Sequence, residues 1–101
     1  MTLGQKQEEF TLMIAKLIIW AYDQGYKIRL GEGFDDDSEG HKKGSNHYIK
    51  LAQDLFVFKP NSDVQDLDAH ERMHDCWDKL GGAPRIAHDL NHYSVVWNGR
   101  W

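Results

Sequence analysis

The sequence predicts an α+β domain in which helices pack on a small, mainly antiparallel sheet. Two segments place apolar residues at helical spacing behind capping signals, and three short runs read as strands. The order along the chain is helix, strand, loop, strand, helix, strand. With 101 residues there is room for a single domain, residues 1–101, and a hydrophobic content of 41% is enough to fill one core.

Thr2-x-x-Gln5 has the form of a capping box, and Phe10, Ile14, Leu17, Ile18 and Ala21 then recur on one helical face. Gly25 is a natural stop, because a glycine tolerates the left-handed conformation that ends many helices. Tyr26, Ile28 and Leu30 alternate with Lys27 and Arg29, the pattern of a half-buried strand. From residue 31 to residue 44 the chain turns polar, with four glycines, Asp35-Asp36-Asp37 and His41-Lys42-Lys43. A loop this long in a compact domain is usually functional or mobile. Residues 52–58 read as a buried strand closed by Pro60 and Asn61. Ser62-x-x-Gln65 is a second capping box, expected to open a helix that ends at Gly81-Gly82 with a core stripe of Met73, Cys76, Trp77 and Leu80. Residues 92–97 alternate as a last strand, and Asn98-Gly99 marks a tight turn after it.

Several function classes are disfavoured by composition. The net charge is −4 and no basic stripe occurs, Lys42-Lys43 being only a local pair, so nucleic acid is not the expected partner. No run is long and apolar enough to span a membrane, and no signal peptide is recognisable. The single cysteine, Cys76, excludes an internal disulfide and falls inside the second helix, where a buried thiol is expected.

Chemistry concentrates in the histidines. His70-Glu71-Arg72-Met73-His74 matches H-E-x-x-H, which sets two imidazoles one helical turn apart with a glutamate as base. No glutamate follows Glu71 to supply the usual third ligand, and Trp77 and Leu80 occupy the positions where the extended motif needs Gly and His. The competing set is His47, Asp54 and His92, with Asp89 as a spare carboxylate: three ligands and a base, the inventory of a catalytic zinc site. The seven-residue gap from His47 to Asp54 is odd, so a flat strand would send them to opposite faces. A turn or bulge between them is required.

The run Gly44-Ser45-Asn46-His47-Tyr48-Ile49-Lys50-Leu51-Ala52-Gln53-Asp54-Leu55 resembles the S-x-H-x(6)-D signature of zinc D-Ala-D-Ala carboxypeptidases and L-alanyl-D-glutamate endopeptidases, above all their phage endolysin branch. Asp89-Leu90-Asn91-His92-Tyr93-Ser94 resembles the second signature of that family, D-x-N-H-F-S. Gly31-Glu32, and Trp77 with Gly81-Gly82, also fall where the phage branch places similar residues. The resemblance spans most of the chain. It implies a Hedgehog/DD-peptidase-like fold and a peptidase with Zn2+ held by His47, Asp54 and His92. Asp89 takes the place of the catalytic acid, where many relatives carry glutamate. Ser45 is implied as a hydrogen-bonding group for substrate or ligand, or else a turn residue. Ser45, Asn46 and Asn91 are the candidates to fix the histidine tautomers, and His70 and His74 become packing residues.

The implied partner is a peptidoglycan stem peptide, and the implied biology is a monomeric phage lysis enzyme. It is made in the host cytoplasm without a signal peptide and acts at the cell wall after release. One departure stands out: relatives carry an arginine in the loop after the Gly-Glu pair, where this chain has Asp35. Arg29, Lys42 or Lys43 would have to supply the cation. The alternatives are a zinc peptidase built on His70, Glu71 and His74, and a non-catalytic phage structural or wall-binding protein that keeps the fold.

Overall fold

A computed structural model describes residues 1–34 and 45–101. The acidic run Asp35-Asp36-Asp37, Lys42 and Lys43 lie outside the described residues. The elements are α1 (Leu3–Asp23), β1 (Lys27–Leu30), a 3-10 turn (Asn46–Ile49), β2 (Ala52–Phe58), α2 (Ala69–Leu80) and β3 (His92–Ser94). The class is α+β, and the three strands form one sheet in the order β1-β2-β3, antiparallel throughout. Among the described residues, no helix is long and apolar enough to cross a membrane.

The first capping box forms in full. Thr2 Oγ1 accepts the Gln5 N–H at 3.1 Å, and Gln5 Oε1 accepts the Thr2 N–H at 2.8 Å. Phe10, Met13, Leu17 and Ala21 make the buried stripe of α1, with Ile14 and Ile18 half-buried beside it. Gly25 takes φ +89° where the helix ends. In β1 the expected alternation holds only at its start. Ile28 is half-buried, whereas Leu30, opposite buried Leu55, stays 69% exposed. The core-facing side of an edge strand is only partly covered by the helices.

The second capping box does not form, and α2 starts at Ala69 rather than after Ser62. Ser62 Oγ accepts the Val64 N–H at 3.1 Å, closing a local turn. Gln65 bridges Phe58, and Asp66 N–H donates to Val57 O at 2.7 Å, so these residues lengthen the sheet edge instead of winding into helix. Serine serves a turn as readily as a helix cap, which is why the motif misplaced the helix start. Asp66 Oδ1 accepts the Ala69 N–H at 3.2 Å and does the capping work. At the other end Gly81 adopts φ +96° and closes α2 where expected.

Trp77 ties the layers together. Its fully buried indole meets Phe10 of α1 edge-on at 5.9 Å and Tyr93 of β3 edge-on at 6.0 Å. Its Nε1–H donates to Ser94 O at 2.8 Å. Gly82 makes room for this: a Cβ there would sit 2.0 Å from Trp77 Nε1. Strand β3 stops at Ser94, earlier than the alternation predicts. Beyond it, Val95 N–H reaches Leu51 O at 3.3 Å, and Trp97 and Arg100 pair around Asn98 (φ 49°) and Gly99 (φ 76°). Positive φ at both central residues is what a two-residue hairpin turn demands.

Candidate metal centre

His47, Asp54 and His92 meet at one end of the sheet, each delivered by a different local device. Asp54 and His92 are direct cross-strand partners in the β2–β3 register, so their side chains share a face. His47 arrives from the 3-10 turn, whose cap residue Lys50 takes a left-handed φ of 58°. Leu51 N–H then bonds back to Asn46 O at 2.9 Å. This tight reversal resets the parity that an odd spacing would otherwise violate.

His47 Nε2 lies 3.2 Å from Asp54 Oδ1 and 3.2 Å from His92 Nδ1, and the latter pair closes the triangle at 3.7 Å. Ligands about 2.1 Å from a tetrahedral zinc ion are roughly 3.4 Å from each other. Orientation points the same way. His47 Nδ1 donates to the Gly33 carbonyl at 2.7 Å, which turns Nε2 toward the Asp54 carboxylate oxygen. A nitrogen and a carboxylate oxygen at that distance share a cation, either a proton on Nε2 or a metal ion in its place. The three residues could hold a metal ion.

The electrostatics agree. Burial raises the Asp54 carboxyl, but hydrogen bonds and charge from His47 and His92 outweigh it and hold the pKa at about 2. For His47, burial opposes charge, yet Asp54, the Gly33 carbonyl and Glu32 together raise its pKa above the ordinary imidazole value. A fixed carboxylate between two imidazoles therefore favours a positive occupant. Asp89, with half its side chain exposed, places Oδ2 4.0 Å from His92 Nδ1. Its backbone carbonyl accepts the His92 N–H at 3.0 Å, so carboxylate and ligand share one tight turn.

The other predicted residues take different parts. Ser45 Oγ caps the 3-10 turn, accepting the His47 N–H at 3.3 Å, and so acts on the histidine's backbone. Asn46, fully buried, donates to Val95 O at 2.6 Å and Arg100 O at 3.0 Å. The ring of His47 is oriented by the Gly33 carbonyl, a main-chain group that no side-chain pattern could have revealed. Arg29 is turned away, with Nη2 2.7 Å from Asp63 Oδ1 and its guanidinium over the Phe58 ring at 4.2 Å.

The H-E-x-x-H residues are buried but do not form a second centre among the described residues. His70 Nδ1 accepts the Tyr93 hydroxyl at 2.6 Å, and its Nε2 meets Gln65 Oε1 at 3.2 Å. His74 Nε2 donates to Leu90 O at 2.7 Å, with its ring stacked on Tyr93 at 4.3 Å. Glu71 points outward to Arg85 at 2.9 Å. Burial lowers the pKa of both histidines, that of His70 to about 4, so both are neutral at pH 7. Cys76 is half-buried, and burial pushes its thiol pKa up, away from nucleophile chemistry. No protein-family model matches this chain, and no curated protein matches it.

Proposed function

We propose that the chain is a zinc-dependent peptidase that hydrolyses peptide bonds in the stem peptides of bacterial peptidoglycan and serves as a phage lysis enzyme. The observation that carries the metal half is the triangle of 3.2, 3.2 and 3.7 Å with the half-exposed Asp89 carboxylate 4.0 Å from its His92 corner. The substrate half rests on the resemblance of residues 44–55 and 89–94 to the cell-wall peptidase signatures.

In this reading His47, Asp54 and His92 hold the ion. When bound, zinc supplies a Lewis acid that acidifies water and polarises a carbonyl. Asp89 accepts the proton of the attacking water and returns it to the leaving amine. Its exposure suits that task, because the carboxylate must face both solvent and substrate. Gly33 holds His47 in the Nδ1–H tautomer, keeping Nε2 available as a ligand.

The test is digestion of purified peptidoglycan by zinc-loaded protein, with the released muropeptides identified by mass spectrometry. Replacing Asp89 by alanine should slow release about 10²–10⁴-fold with zinc content unchanged. Equal rates for the two proteins would defeat the catalytic claim. A second reading has one observation in its favour: Arg29 is committed to Asp63, away from the centre. A wall-binding protein needs no cation for a developing oxyanion. It would bind peptidoglycan in a pull-down and release no fragments.

A further inference from the structure

We propose that His74, the second histidine of H-E-x-x-H, is a positioning residue for the metal centre, holding the turn that presents Asp89 and His92. This rests on the metal-centre reading above. His70, His74 and Trp77 lie at i, i+4 and i+7 on α2, hence on one helical face. Each makes a hydrogen bond to the β3 segment: His74 to the Leu90 carbonyl at 2.7 Å, His70 to the Tyr93 hydroxyl at 2.6 Å, and Trp77 to the Ser94 carbonyl at 2.8 Å. The three attachment points bracket His92 on both sides.

His74 acts at the decisive point. Leu90 is an inner residue of the turn that runs from Asp89 to His92 and is closed by the His92 N–H to Asp89 O bond of 3.0 Å. Moving the Leu90 carbonyl tilts this turn, which changes the 4.0 Å separation between the Asp89 carboxylate and His92 Nδ1. The imidazole is itself immobile, because it is 1% exposed and stacked on Tyr93 with planes 14° apart. One nitrogen of His74 is spent on Leu90, while the other, Nδ1, is buried with no partner. An unsatisfied buried nitrogen costs stability, so packing alone does not favour histidine here. An apolar side chain of similar size would fill the same space without it.

The experiment compares His74→Gln, which can still donate to Leu90, with His74→Met, which has similar volume and no donor. Cobalt(II) is the probe, its affinity and visible absorption read on folded protein alongside kcat and KM for peptidoglycan hydrolysis. His74→Met should lower cobalt affinity and kcat about tenfold with KM unchanged, while His74→Gln stays within about threefold of wild type in both. Wild-type affinity, spectrum and kcat in His74→Met would overturn the positioning role and leave the metal centre standing. Absence of cobalt binding by the wild type would overturn the centre, and this inference with it. If neither variant folds, imidazole ¹⁵N spectra of the wild type decide. Displacement of the His74 Nε2 resonance on zinc addition supports the coupling, and an unmoved resonance overturns it.

Discussion

At the scale of single residues, the buried histidines among the described residues divide by what their second nitrogen does. His47 spends Nδ1 on a carbonyl and keeps Nε2 for the cluster, whereas His70 has protein partners on both nitrogens. The two should therefore fail in different ways when truncated. His47→Ala should abolish stoichiometric zinc, measured by elemental mass spectrometry, at little cost in folding beyond its buried volume. His70→Ala should keep zinc and lose about 2–4 kcal/mol of stability in a urea melt, through a cavity and an unpaired Tyr93 hydroxyl. Zinc lost from His70→Ala and retained by His47→Ala would reverse the assignment. The candidate ligand residues were legible in the sequence because their chemistry is carried by side chains. Gly33 was not, because its contribution is a main-chain oxygen. Ser45, open in the sequence between a hydrogen-bonding group and a turn residue, takes the turn role, while Asn46, a candidate to fix a histidine ring, bonds main-chain carbonyls instead.

At the scale of elements, α2 sets the geometry, and its links to β3 can be tested without touching the site. Gly82→Ala would drive a Cβ into the Trp77 indole, 2.0 Å from Nε1, against a ring locked between Phe10 and Tyr93. We expect a loss of about 3 kcal/mol or more, seen as a lower Tm, and displacement of the Trp77 to Ser94 bond. A variant as stable as wild type would mean that the indole has room to move. The same helix makes stability pH-dependent. His70 has an ordinary imidazole value of 6.5 and a folded value of about 4, so only the unfolded chain takes up the proton between them. This contribution is whole above about pH 6.5 and is lost as pH falls, amounting to about 3 kcal/mol at pH 4. His47, whose pKa is raised, works in the opposite direction, so the measurement is the difference between wild type and His70→Asn. That difference should shrink on acidification; a constant gap would refute the buried neutral state. Element boundaries were the least legible part of the fold. Ser62 and Gln65 match a helix start, but tertiary pairing with β2 claimed the segment.

At the scale of the whole molecule, the core couples to the candidate metal centre through β2. Leu55 and Val57 are fully buried in the core while Asp54 on the same strand belongs to the His47, Asp54 and His92 cluster, so strand and cluster form together. An ion that binds only the folded chain should stabilise it by about 2.7 kcal/mol at one hundred times its Kd. For a domain of this size that corresponds to a rise in Tm of about 10–20 °C, measurable by calorimetry with zinc against chelator. An unchanged Tm would contradict the metal centre. The fold class was readable because helical and alternating periods are local. The convergence of three ligands was not, since it depends on the β2–β3 register and on one left-handed residue, Lys50.

Residue separation also gives the centre a history. A ribosome that has already released His47 and Asp54 still has to make His92, and only when β3 docks beside β2 does the third donor arrive. Half-made chains thus offer the ion two donors at most, and they cannot capture it as the finished protein would. In the proposed peptidase, hydrolytic power would switch on late in each molecule's synthesis, a natural delay for an enzyme proposed to attack the wall of the cell that makes it.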